Sequence, residues 1–95
     1  MKVKVKFLGF NFAQIQRELE IELKGHKDHT VSDLVRELSN SIEKFKDAVL
    51  KGNGSISEEV MIVLNGEIQA EREKIDTIVI NEGDTIAFML IAGGG

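Results

Sequence analysis

The sequence predicts an α+β domain, a mixed sheet of about five strands with one main helix packed on one face. Three observations carry this. Two segments near the start alternate charged and apolar residues at the period of a strand, and a central segment repeats apolar residues at the period of a helix. The last third holds apolar runs separated by Asn-Gly and Glu-Gly-Asp turns. The chain's 95 residues are the size of one domain, with expected boundaries at residues 1–91 for a folded body and 92–95 for a C-terminal glycine tail.

Val3, Val5 and Phe7 alternate with Lys2, Lys4 and Lys6, which makes a half-buried strand with a lysine-lined outer face. Leu19, Ile21 and Leu23 alternate with Glu18, Glu20, Glu22 and Lys24, so antiparallel pairing sets a glutamate row against the lysine row. Each such cross-strand pair contributes roughly 0.2–1 kcal/mol and helps specify which strand lies beside which. Between the two strands, Phe10, Phe12 and Ile15 either fold back on the sheet or extend the first strand.

Thr30-Val31-Ser32-Asp33 reads as a helix start, with Thr30 placed to cap the backbone N–H of Asp33. Val31, Leu34, Val35, Leu38, Ile42, Phe45 and Val49 then recur at steps of three and four, one face of a helix packed on a sheet. Ser39-Asn40-Ser41 is poor helix material, so the expectation is either one helix or a helix to about Leu38 followed by a shorter one, with Gly52 as the stop. Residues 51–59 read as a loop.

Val60-Met61-Ile62-Val63-Leu64 is a continuous apolar strand, and Asn65-Gly66 is a hairpin turn of the type that needs positive φ at both central positions. Glu67-Ile68-Gln69 is the returning strand. Ile75, Ile78 and Ile80 cross an irregular stretch to the turn Asn81-Glu82-Gly83-Asp84, and Thr85 to Ile91 form the last strand. A two-strand hairpin, a crossover helix and three more strands resemble the β-grasp fold of ubiquitin, with the first and last strands parallel and central.

Composition excludes several functions. A formal charge of −4 argues against nucleic acid, whose binders need a basic stripe. No apolar run approaches the roughly 20 residues of a membrane span. The start alternates lysine with valine and lacks the apolar core of a secretion signal, so the cytoplasm is the expected compartment. With no cysteine there is no disulfide, thiolate nucleophile or Cys-based metal site.

Within the chain, chemistry is sparse. His26 and His29, the only histidines, have Asp28 as their only nearby carboxylate, and two exposed loop histidines is the better reading than a metal site. No serine stands in a nucleophile motif, and Gly52 and Gly54 follow a helix where a phosphate cradle would precede one. Glu58-Glu59 and Glu71 with Glu73 read as solvated charge. No autonomous active site is visible, and the chain is not expected to be an enzyme on its own.

The last three residues, Gly93, Gly94 and Gly95, are different. A glycine run directly after a strand presents a thin tail with an unhindered carboxylate, and glycine lets the backbone pass close to enclosing walls. Such a tail suits a substrate; the alternative is a frayed end. Together with Leu64-Asn65-Gly66, Glu82-Gly83-Asp84, Ile86 and Phe88, the tail resembles the ubiquitin-like sulfur carriers, which include the small subunit of molybdopterin synthase (MoaD-type) and the thiamine-pathway carrier ThiS.

That resemblance implies that a partner adenylyltransferase related to ubiquitin-activating enzymes uses ATP to activate the terminal glycine, Gly95 or Gly94, which then becomes a thiocarboxylate. No cofactor is implied on the chain itself. The length and the long helical segment are closer to the molybdopterin-synthase type, whose large subunit would be a second partner. Two features depart from that type: this chain has no proline before its tail, and it ends in three glycines where the family ends in two. An extra residue moves the carboxylate by about 3.3–3.6 Å of extended chain.

If Ile86, Phe88 and Leu90 face the helix, then Ala87, Met89 and Ile91 face the other way and lead through Ala92 and Gly93 to the tail, as a partner-docking strip. Cover by the segment from Phe10 to Ile15 would remove that strip. Two other functions stay open: a protein modifier joined to lysines through the same tail, and a β-grasp binding domain whose glycine end is inert.

Overall fold

The computed structural model describes residues 1–10, 17–25, 28–69 and 72–91. The main sheet contains β1 (Lys2–Leu8), β2 (Glu18–Glu22), β4 (Val60–Leu64), β5 (Glu67–Gln69) and β7 (Thr85–Leu90), in the order β2-β1-β7-β4-β5. β7 lies parallel to β1 and antiparallel to β4, as the sequence predicts for a β-grasp domain. The expected charge rows meet in register, Lys2 opposite Glu22, Lys4 opposite Glu20 and Lys6 opposite Glu18. The Met1 ammonium also meets the Glu22 carboxylate, and its hydrogen bond holds that carboxyl below its ordinary pKa.

Helix α1 (Val31–Ser41) starts where expected. The Asp33 N–H donates to Thr30 Oγ1 at 3.3 Å and the Thr30 N–H donates to Asp33 Oδ2 at 3.0 Å, a reciprocal capping box. The helical segment does divide, but at Ile42 and not at Leu38. Ser39 donates its hydroxyl to the Val35 carbonyl and Ser41 to the Glu37 carboxylate, so both serines bond within the helix and do not break it. Ile42 is extended, and α2 (Phe45–Val49) follows, ending before Gly52.

The division lets Phe45 reach the sheet. Its ring meets Phe88 edge-on at 5.5 Å and Phe7 at 6.1 Å, while Phe7 stacks on Phe88 at 5.8 Å. Phe7, Phe45 and Phe88 are all buried, along with Val3, Val5, Leu34, Leu38, Ile62 and Ile86. Burial of this apolar surface against one sheet face is the main source of stability.

A second small sheet pairs β3 (His29–Thr30) with β6 (Val79–Ile80), after a 3₁₀ helix over Arg72–Thr77. Sequence reading leaves this region irregular, because two-residue strands carry no periodic signal. The pairing corrects the expectation that both histidines are exposed in a loop. His29 is buried, drawn in by the ladder to Ile80, and among the described residues neither ring nitrogen has a hydrogen-bond partner. His26 lies outside the described residues.

Thr30→Ala is expected to lower unfolding free energy by about 1 kcal/mol. Phe45→Ala should cost about 3–5 kcal/mol, both read from urea midpoints at an unchanged m-value.

Candidate functional site

The candidate site is the end of β7 and the sheet face around it. Because Phe7, Ile62, Ile86 and Phe88 point to the helices, the alternate residues point away. Leu8 stands opposite Met89, Met61 opposite Met89, Val63 opposite Ala87, and Ile68 opposite Val63, so these side chains share the outer face. Ile68 is 62% exposed, Ile91 42% and Leu8 39%, and Met61, Val63 and Met89 are half-buried. The β1–β2 half of the same face carries the lysine and glutamate rows. The outer face is therefore divided into an apolar half and a charged half, and the chain leaves β7 from the apolar half.

The expected strip is placed unevenly. Met89 and Ile91 lie on the apolar half, whereas Ala87 is only 7% exposed, a small side chain between its register partners Lys6 and Val63. Ala92, Gly93, Gly94 and Gly95 lie outside the described residues. Leu8, Met61, Val63 and Ile68 were not part of the sequence-based strip. The signal for the last three was the Asn-Gly hairpin, which fixes their side relative to one another. Phe10 does not cover the strip: it meets the Phe7 ring edge-on at 6.0 Å, on the helix side, and Phe12 and Ile15 lie outside the described residues.

The Asn-Gly and Gly-Asp segments meet at the opposite end of β7. Asn65 and Gly66 have φ of 50° and 86°, the left-handed pair that a tight right-twisted hairpin requires. Asn65 Nδ2 donates to Asp84 Oδ1 at 2.9 Å, the Thr85 N–H donates to Asn65 Oδ1 at 2.8 Å, and the Asn81 N–H donates to Asp84 Oδ2 at 2.7 Å. The Asn65 N–H in turn donates to the Thr85 carbonyl at 2.8 Å. These bonds lock the start of β7 to the β4–β5 turn. With the start fixed, strand register fixes where the strand ends. The strand ends at Leu90, and the N–H of the next residue, Ile91, donates to the Glu59 carbonyl at 2.7 Å.

Among the described residues, no group of three His, Asp or Glu side chains is placed to hold a metal ion, and no helix is long and apolar enough to cross a membrane.

Residues 5–95 match the family model described as the ThiS family. The chain belongs to the ThiS family. Small ubiquitin-like proteins of this type are generally not enzymes themselves, and they work with ubiquitin-activating-type enzymes and partner subunits. Solved structures similar to this ThiS-family chain include small archaeal modifier protein 1 from Haloferax volcanii, 20% identical with TM-score 0.77 and 100% of each chain covered. A candidate molybdopterin converting factor subunit 1 from Pyrococcus furiosus is 30% identical with TM-score 0.64, covering 94% of this chain and 95% of that one. The thiamine biosynthesis protein ThiS from Geobacter metallireducens is 24% identical with TM-score 0.54, covering 97% and 99%. Among curated proteins none matches the sequence.

Asn65→Ala is expected to destabilise the fold by about 1–3 kcal/mol, since it removes a backbone cap and puts alanine at positive φ. Ile68→Ser, on the exposed face, should stay within about 0.5 kcal/mol of the parent in the same chemical denaturation series.

Proposed function

We propose that this chain is a ubiquitin-like sulfur carrier of the molybdopterin-synthase small-subunit type, acting through the carboxylate at the end of its glycine run. The carboxylate attacks the α-phosphorus of ATP in an activating partner, forming an acyl-adenylate and releasing pyrophosphate. A sulfur donor at the oxidation level of hydrosulfide, supplied by a partner, then adds to the acyl carbon and displaces AMP. The product is a thiocarboxylate, whose sulfur passes to an acceptor in molybdenum cofactor formation on the large subunit of molybdopterin synthase. The carrier supplies no acid, base or metal, and its own contribution is geometric.

The observation that carries this reading is the place where β7 ends. The strand is held centrally in the sheet and hands the chain over at Ile91 on the apolar half of the outer face, and in sequence only Ala92 separates Ile91 from the glycines. A partner that covers Leu8, Met61, Ile68 and Met89 would bury a contiguous apolar surface and receive the tail in the same contact. Methionines at its centre suit a surface used by more than one partner. The molybdopterin assignment draws support from the 30% identity to the Pyrococcus furiosus protein.

Pyrophosphate release with ATP and the cognate activating enzyme tests the tail. The full chain should be compared with versions lacking Gly95 or Gly94-Gly95. One register should be adenylated fastest and the others slower by about 10-fold or more, because misplacement by one residue removes the attack geometry. Equal adenylation of all three contradicts the reading. In the same assay Met89→Glu and Ile91→Glu should each raise KM by an amount equivalent to about 1–2 kcal/mol while Tm is unchanged.

A further inference from the structure

We propose that Gly9 is a positioning residue for the reactive terminus, acting through the Leu90–Ile91 peptide plane from which the tail departs. The inference rests on the reading that a partner activates that terminus. β1 and β7 run side by side up to the pair Leu8 and Met89, and Gly9 is the residue directly after β1. Its φ is +82°, and a Cβ at this position would lie 2.9 Å from the Leu90 carbonyl oxygen and 3.5 Å from Leu90 Cβ. Both facts require glycine. The left-handed φ strains an L side chain, and the first obstacle is backbone, which has no rotamer through which to yield.

The other edge of the same peptide plane is held as well. The Leu90 carbonyl packs against Gly9, and the Ile91 N–H, on the same peptide group, donates to the Glu59 carbonyl at 2.7 Å. One plane is thus held by Gly9, just after β1, on its oxygen side and by Glu59, just before β4, on its nitrogen side. It is the last peptide of the central strand before the tail begins. In sequence Ala92, Gly93, Gly94 and Gly95 follow Ile91, and four fully extended residues reach at most about 13–14 Å. A rotation of the root plane by about 10° would displace the end of that extended reach by about 2 Å, enough to spoil an in-line attack. Docking of the sheet face and delivery of the carboxylate are coupled through this plane, and a side chain at position 9 must move it or move the end of β1.

Gly9→Ala and Gly9→Asn separate aim from fold. Asparagine tolerates left-handed φ but still carries a Cβ, so Gly9→Asn keeps a Tm nearer the parent while sharing the contact with Leu90. Two measurements are made on the full chain. Without any enzyme, amide hydrogen exchange at Ile91 should speed up by about 10-fold or more in both variants, relative to amides in mid-β7. With ATP and the activating enzyme, kcat for adenylation should fall by about 10-fold or more while KM stays within about twofold, because the docking face is intact.

Unchanged Ile91 exchange, or unchanged kcat with an active parent, overturns the role of Gly9. An unadenylated parent chain overturns the activation reading instead, and the exchange result then still decides whether Gly9 holds the plane.

Discussion

The placement of β7 is the constraint on which the rest of the molecule depends. It is the central strand, parallel to β1 and antiparallel to β4, and its Phe88 packs with Phe7 and Phe45 at the middle of the core. A slip of one residue would turn Ile86 and Phe88 to the outer face and Met89 inward, exchanging the core for the docking surface. Such a slip is opposed at both ends. At the start, Asn65 and Asp84 tie the strand to the hairpin turn, and at the end Glu59 and Gly9 grip the Leu90–Ile91 peptide.

On the proposed reading, this arrangement gives the tail a defined root. If the terminal carboxylate is the reactive group, the accuracy with which a partner receives it depends on where the chain leaves the sheet and on what encloses it. Burial of the aromatic cluster fixes the root, and the apolar half of the outer face gives an enclosing partner a contact beside it. The charged half serves a different end: the lysine and glutamate rows select β2 as the neighbour of β1 and keep that side of the face polar.

Much of this was legible in the residues. Period-two alternation located β1 and β2, the 3.6-residue stripe located the helix face, and Thr30 with Asp33 located the helix start, because each is a local pattern with one geometric solution. The Asn-Gly turn with its positive φ values was legible for the same reason. What escaped was set by tertiary contact. The break falls at Ile42, just before Phe45 packs on Phe88, and nothing in the Ser39-Asn40-Ser41 composition carries that position. His29 is buried because two residues pair with Val79 and Ile80, a ladder too short to have a period. In the sequence Gly9 only opens the connection after the first strand, and its meaning depends on the Leu90 carbonyl, distant along the chain. The candidate site was half legible: Met89 and Ile91 follow from strand parity, but Ala87 is shaded and Ile68 joins only through sheet register.

If sulfur is carried on the terminal glycine carboxylate, intact-mass and peptide mass spectrometry of the chain isolated from its own cells will detect it there. The account predicts a fraction of molecules in which one oxygen of the C-terminal residue is replaced by sulfur, a replacement lost when the activating enzyme is deleted. A terminus that is always a plain carboxylate, with glycine remnants of this chain found on lysines of other proteins, would contradict the account and make the chain a protein modifier.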